Sequence, residues 1–505
     1  MIQARMKFDR DFRIGDIDNR IYGSFVEHLG RQIYEGVYEP GHPSADDMGF
    51  RTDVMDLTRE LGATIIRYPG GNFVSAYNWE DGVGPVKDRP RRLDAVWGVV
   101  ETNEFGTNEF CEWTRRIGAE PMMAVNMGTR GLDAARNIVE YCNHPSGSYW
   151  SDLRIAHGYK DPHKIKVWCL GNEMDGHHQM GYKPADQFGG VARESAKLMK
   201  LIDPTIELTV SGSSYGGMPT FPDWDATVLD YTYDHVDMLS IHTYLQKPGS
   251  ASEDFLARSI TMDNFINSVV STCEFVRARK RSPKPMYLAF DEWNVWWREQ
   301  EPEQKVRTYP TAPQACLEEV YSVEDAVVVG LMIITLLKHA DRVKIACFSE
   351  LVNTIACITT RTGGPAWRQA TYWPFMLASK YGRGTALNTL IDSPTYESSE
   401  LGPTPFLEGI AILDDENDAL TILAVNRSLE DDLTLECDLR GVGEYQVDEQ
   451  WVLAHDDFAA SNTEANPDNV RPRKASTASV IDGKLTATLP KLSWNVLRMK
   501  RADGR

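Results

Sequence analysis

Glu173 and Glu292 have the strongest claim to chemistry in this chain. Each closely follows an apolar run, Ile165 to Leu170 in one case and Met286 to Phe290 in the other, so a rigid strand fixes its position. Two carboxylates flanking a cleft, one kept protonated and one ionised, are what cleavage of a glycosidic bond requires. Amide neighbours (Asn72, Asn126, Asn172, Asn294) and aromatics (Tyr68, Trp97, Tyr244, Trp293, Trp296, Trp297) suit a sugar. Amides bond hydroxyls, and flat rings stack on apolar sugar faces. A single glutamate is more often half of a structural ion pair; placement at strand ends among such neighbours reverses that reading. His28 and His242 stand alone at strand ends and read as hydrogen-bond partners, and the adjacent His177 and His178 point in different directions, so no metal site is expected.

The elements that must position these residues are legible as an alternation. Apolar strand-like runs at Ile21 to Glu27, Thr64 to Tyr68, Pro121 to Val125, Ile165 to Leu170, Ile206 to Val210, Val236 to Ile241, Met286 to Phe290 and Val343 to Phe348 are separated by amphipathic helical stretches. Eight such units over roughly 370 residues fit a (β/α)8 barrel. A doubly wound open sheet is the rival, but no GxGxxG follows the first strand. In a parallel barrel, chemistry collects where strands end, and here those ends read Glu27-His28, Arg67 to Asn72, Asn126, Gly171 to Glu173, His242 to Tyr244, Asp291 to Asn294 and Ser349-Glu350. Beyond about residue 385 the runs become short, β-rich and punctuated by turns, which predicts a β-sandwich over 386–505. The barrel is expected over 19–385, with residues 1–18 adding a strand to the sandwich.

The composition narrows the partners. Fifty-three Lys and Arg against seventy-three Asp and Glu leave a formal charge of −20, which repels phosphate backbones and anionic lipid, so neither nucleic acid nor membrane is an expected partner. The first residues, Met1 to Lys7, turn charged at once, and the longest apolar run, Val327 to Leu337, is too short to span a bilayer. Eight scattered cysteines without a CxxC pair read as small buried hydrophobes. A cytoplasmic protein is expected.

Gly171-Asn172-Glu173-Met174-Asp175-Gly176, Asp291 to Trp296, Arg67 to Phe73 and Glu101 to Gly106 closely resemble the intracellular α-L-arabinofuranosidases of glycoside hydrolase family 51, and the resemblance spans the chain. It implies a barrel with a C-terminal sandwich, no cofactor, and exo-acting release of arabinofuranosyl residues from oligosaccharides. It further implies Glu173 as general acid/base and Glu292 as nucleophile of a retaining double displacement. Glu27, Asn72 and Asn172 would hold the furanose hydroxyls, and Arg67 would keep Glu292 ionised. Tyr244 and His242 would sit beside the nucleophile, and Trp97 would line the leaving-group side. Trp297 joins the expected pocket lining from its place after the nucleophile. A homo-oligomer, a hexamer in the family, is implied by the resemblance alone.

Two departures from the family pattern stand out. Glu350 occupies a position where the family usually carries a sugar-binding Gln; it adds charge near Glu292, so a raised pKa in the site or an altered sugar preference is expected. His177-His178 replaces a frequent Pro-Trp, placing His178 at the pocket wall. The residues by themselves leave the sugar open, between an arabinofuranoside and a β-xyloside or β-glucan handled by the same machinery. A catalytically dead carbohydrate-binding protein is the reading from another class, and the presence of both carboxylates argues against it.

Overall fold

The structure, a computed structural model, describes residues 1–247, 249, 251–298 and 308–502. Eight parallel strands close into a barrel in chain order: β1 (Gly23–Phe25), β2 (Ile65–Tyr68), β3 (Glu120–Val125), β4 (Val167–Leu170), β5 (Glu207–Ser211), β6 (Met238–Leu245), β7 (Tyr287–Val295) and β8 (Val343–Phe348). Helices cover the outside, so strands such as β2 and β4 are buried on both faces and read as unbroken apolar runs. Alternate side chains divide the work. Ile65, Met122, Val167, Cys169, Met238, Ala289 and Ile345 fill the barrel interior, whereas Ile66, Trp168 and Leu170 point outward into the layer beneath the helices.

The strands near the mouth run further than the apolar runs suggest. Strand β6 continues to Leu245 and β7 to Val295, pairing His242 with Glu292 and Tyr244 with Asn294. Strand pairing is made by the backbone, so polar side chains at the rim do not end it. Between Ser240 and His242 the β6–β7 register shifts: two steps along β6 match three along β7, from Ala289 to Glu292. The extra residue is a bulge in β7, directly at the carboxylates.

The C-terminal part packs two sheets face to face. One contains Leu407–Asp414, Ala419–Asn426, Ser493–Arg501 and Tyr445–Leu453 as its central strands, and the other is built around Leu433–Asp438 and Lys484–Leu489. The N-terminal residues join both. Ile2–Lys7 lies parallel to Leu433–Asp438, and Arg13–Asp16 lies antiparallel to Thr385–Leu387. Helix Val323–Lys338, started by Ser322 accepting from the Asp325 amide, lies between barrel and sandwich and is buried from Val323 through Leu337. That placement explains an apolar run with no polar face. No described helix is long and apolar enough to cross a membrane.

Gly330 lets this helix approach the sandwich: a Cβ there would stand 2.5 Å from Cε3 of Trp494, a fully buried indole. Gly330→Ala is expected to cost about 1–3 kcal/mol through overpacking. The measurement is the urea unfolding midpoint; an unchanged midpoint would show that the indole can move aside.

Candidate active site

Arg67 follows Ile65 by two residues on β2, so it shares the inward face and caps the apolar interior, its guanidinium 4.7 Å above the Phe25 ring. No part of its side chain reaches solvent. Nη1 donates to Glu292 Oε1 at 2.6 Å, Nη2 donates to Asn172 Oδ1 at 2.6 Å, and Nε lies 3.1 Å from Asp291 Oδ2. In a regular strand Asp291 and Glu292 would point to opposite faces; the β7 bulge turns both toward the one guanidinium. Tyr244 donates its hydroxyl to the second oxygen of Glu292 at 2.8 Å, and Ser240 donates to Asp291 at 2.5 Å.

Glu173 enters from the loop after β4. Its backbone is left-handed, with φ at 45°, two residues beyond Gly171, which is left-handed too at 78°. The loop is fastened to its neighbour: Met174 N donates to Ser211 Oγ at 3.2 Å, and Ser214 N donates to Asp175 Oδ2 at 3.1 Å. One oxygen of Glu173 meets His242 Nδ1 at 2.9 Å and the other meets the half-exposed His178 Nε2 at 2.9 Å. His242 Nδ1 is also 3.7 Å from Glu292 Oε2, so the imidazole bridges the two glutamates. Glu173, His242 and Glu292 each offer an atom within 4.8 Å of the others. That spacing would suit a cation, but Arg67 and Tyr244 already donate to Glu292 and both histidines face Glu173.

The electrostatics follow from those contacts. Burial disfavours charge on His242, yet Glu292, Asp291 and Glu173 outweigh it and push the imidazole up to about 10. Burial likewise works against an ionised Glu173, but the contacts with His178 and His242 hold it at about 2. The resting pair is therefore imidazolium and carboxylate, with one shared proton between them.

Glu27 and Glu350 behave in the opposite sense. Glu27 Oε1 accepts from Phe73 N at 2.8 Å and from Trp97 Nε1 at 3.0 Å, and any side chain on Gly71 would run into its other oxygen. Burial, reinforced by the charge on Glu292, still raises it to about 8. Glu350 is buried, and its Oε2 has no hydrogen-bond partner among the described residues. Burial, with Glu27 and Glu292 facing it, drives this carboxyl well above the usual range. Its loop is pinned by Glu350 N donating to Ile355 O at 3.0 Å and by the Asn294 amide on the same carbonyl at 2.6 Å.

Glu27, Asn72, Trp97, Glu173, His178, Tyr244, Glu292 and Glu350 all line one open cleft of about 1000 Å³ at the barrel mouth. Asn172 and His242 stand behind it in the network already described. Trp297 does not line this cleft. Its indole donates to Asp325 at 2.9 Å and stacks on the Arg298 guanidinium, and Trp296 takes the expected place, edge-on to Tyr244. Trp293 is core, packed on Phe348. Asn126 shapes the following turn, accepting from the amides of Gly128 and Thr129, and does not contact the carboxylates. His28 bonds Glu101 and Tyr68 behind the wall. The sequence reading names Asp291 only as part of a strand end and gives it no role of its own; the bulge that turns it inward leaves no mark in composition.

Two family profiles cover most of the chain: an α-L-arabinofuranosidase 1 domain over residues 57–265 and an α-L-arabinofuranosidase C-terminal domain over 291–493. A protein of Halalkalibacterium halodurans named intracellular exo-α-(1→5)-L-arabinofuranosidase is 55% identical, over 99% of both chains. The chain belongs to the family 51 α-L-arabinofuranosidases. Among solved family 51 structures, that of the Bifidobacterium longum enzyme is 42% identical with a TM-score of 0.93, covering 98% of this chain and 99% of that one. The Thermotoga maritima α-L-arabinofuranosidase, solved as an arabinose complex, is 33% identical with a TM-score of 0.86 over 98% of this chain and 99% of its own. Family 51 membership thus agrees with a closed barrel carrying a β-sandwich.

The Glu27 carboxyl gives a stability signature. It titrates near 8 when folded against 4.5 ordinarily, so the folded state holds an extra proton in that window and stability falls as pH rises through it. Glu27→Gln removes this contribution. Unfolding midpoints measured from about pH 5 to about pH 8 should decline less steeply in the variant than in wild type; parallel curves would refute the shift.

Proposed function

We propose that this chain is a retaining, exo-acting α-L-arabinofuranosidase that releases terminal arabinofuranosyl residues from short oligosaccharides in the cytoplasm. One observation carries the mechanism: Glu173 and Glu292 bring oxygens within 4.8 Å across the cleft. A separation near 5 Å suits direct attack by one carboxylate, whereas inversion needs about 6.5–9.5 Å to seat a water. Glu292, bonded by Arg67 and oriented by Tyr244, is the nucleophile that attacks the anomeric carbon. Glu173 is the acid that protonates the departing glycosidic oxygen. Its proton comes from His242 across the 2.9 Å contact, since the resting pair holds one proton, on the imidazole. The glycosyl–Glu292 ester then breaks when water, deprotonated by Glu173, attacks the same carbon and releases the sugar with its original configuration.

Glu27, Asn72, Asn172 and Glu350 surround the sugar hydroxyls in this reading, with Trp97 and His178 toward the leaving group. A protonated carboxyl at Glu350 both donates and accepts, as a Gln amide does, so the departure from the family pattern preserves hydroxyl recognition. The names of the relatives support the sugar and the compartment: the Halalkalibacterium protein is named intracellular and exo-acting on the (1→5) linkage.

Hydrolysis of p-nitrophenyl α-L-arabinofuranoside and β-D-xylopyranoside tests this directly. Arabinofuranoside turnover should fall at least about a thousandfold in Glu292→Ala and Glu173→Ala. Azide added to Glu173→Ala should restore turnover and yield an arabinofuranosyl azide of retained configuration. Turnover of the xyloside alone would discard the sugar and keep the mechanism; inverted product would discard the mechanism.

A further inference from the structure

Asp291 takes no step in the proposed reaction, although it is fully buried beside the groups that do. An ionised carboxylate is costly to bury unless donors face it, and here donors face both oxygens. Oδ2 stands 3.1 Å from Arg67 Nε and accepts from Cys169 Sγ at 3.7 Å. Oδ1 accepts the Ser240 hydroxyl at 2.5 Å and stands 3.3 Å from His242 Nε2. Met238, Ser240 and His242 are alternate residues of β6, so Ser240 and His242 share the inward face that Met238 presents to the barrel interior. The β7 bulge turns Asp291 toward that face.

The hydrogens around His242 follow by elimination. The Ser240 hydroxyl has one proton, and it lies on the short bond to Asp291. Its oxygen therefore meets His242 Nε2, 3.2 Å away, as an acceptor. Ser240 and Asp291 both accept in front of Nε2, so Nε2 carries a hydrogen. Nδ1 faces the Glu173 carboxylate at 2.9 Å and Glu292 Oε2 at 3.7 Å, which are acceptors again. A ring with acceptors at both nitrogens is protonated at both. The same carboxylates, outweighing burial, push the imidazole up to about 10. The other titrating group on Glu173, His178, is half exposed and exchanges its protons with water.

We infer that Asp291 is a positioning residue: with Ser240 it keeps a hydrogen on His242 Nε2, which leaves the Nδ1 hydrogen free to serve the leaving group. This rests on the glycosidase reading and deepens it. As the bond between anomeric carbon and glycosidic oxygen breaks, that oxygen takes a proton from Glu173, and Glu173 takes the Nδ1 proton. The ring is left neutral, with Nε2–H still directed at Ser240 and Asp291, and Glu173 is again a carboxylate. In the second step the proton of the attacking water returns through Glu173 to Nδ1. Asp291→Asn reverses this arrangement while keeping its shape. The amide oxygen stays toward Arg67, because an N–H there would meet another donor, so the NH2 takes the place of Oδ1. Ser240 then accepts from the amide and donates to Nε2, which carries no hydrogen. Nδ1–H is then the last proton on the ring and is not given up.

The experiment measures kcat/KM at neutral pH for methyl and for 2,4-dinitrophenyl α-L-arabinofuranoside, a quantity that reports events up to cleavage of the glycosidic bond. Methanol leaves only with a proton, whereas dinitrophenolate leaves without one. In Asp291→Asn the methyl substrate should lose about a hundredfold, as for loss of a general acid, and the dinitrophenyl substrate no more than about threefold. Equal loss on both substrates puts the effect on Glu292 or on folding and overturns the assignment, as does no loss on either. Wild type inert on both overturns the glycosidase reading and the inference with it. Nitrogen NMR of enzyme labelled in its histidines needs no turnover. The His242 ring, recognised as the signal missing from His242→Gln, should be protonated at both nitrogens in wild type and at Nδ1 alone in Asp291→Asn. A singly protonated ring in wild type overturns the inference even where the Asn variant does not fold.

Discussion

A single guanidinium organises the mouth of this barrel. Arg67 sits on the last apolar layer with no access to water, bonding Glu292 and Asn172 while its charge also faces Asp291. A charge in that position is tolerable only with its partners in place; removing one side of such a pair costs about 3–5 kcal/mol. The β7 bulge, the inward turn of two consecutive acids and the orientation of Asn172 all serve the same guanidinium. His242 extends the network by bridging Asp291, Glu173 and Glu292. Five carboxyls, Glu27, Glu173, Asp291, Glu292 and Glu350, thus share two buried cations, Arg67 and His242. The two that neither cation touches, Glu27 and Glu350, are the two whose acidity is driven down.

That charge pattern divides the mouth into two regions. Where a cation lies in contact, charge-assisted bonds fix the carboxylate in place. Where none does, burial favours the protonated carboxyl, which has both a donor and an acceptor free to use. Between these regimes sits the protonated imidazole of His242, which touches both glutamates. The left-handed backbone at Glu173 adds a further fixed point, a conformation that costs roughly 1–2 kcal/mol and is held by the bonds of Met174 and Asp175 to the β5 side.

Much of this was legible in the sequence because barrels write their order plainly. Fully buried strands must be apolar, so Ile65-Ile66 and Val167 to Leu170 announce themselves, and the polar residue that follows each one marks the mouth. Glu173, Glu292, Arg67 and Tyr244 were found that way. What could not be read was register. Whether Asp291 joins Glu292 inside depends on one extra residue between two strands, and whether Trp296 or Trp297 faces the cleft depends on where the strand stops at Val295. Protonation was hidden for a similar reason: Glu27 and Glu173 are the same residue type, and only their partners separate them by several pH units.

The path of the first strand has a consequence for biosynthesis. Ile2–Lys7 pairs with Leu433–Asp438, so it leaves the ribosome 431 residues ahead of its partner. At about 5–20 residues per second that is a wait of roughly 20 to 90 seconds. During it, all eight barrel strands emerge and can close, while the sandwich, whose central strand Ser493–Arg501 comes last, cannot. The barrel therefore forms inside a split domain, with the sandwich-facing side of helix Val323–Lys338 still bare. That uncovered apolar ridge, not the charged mouth, is the surface a nascent chain of this protein must keep from its neighbours until the final strand arrives.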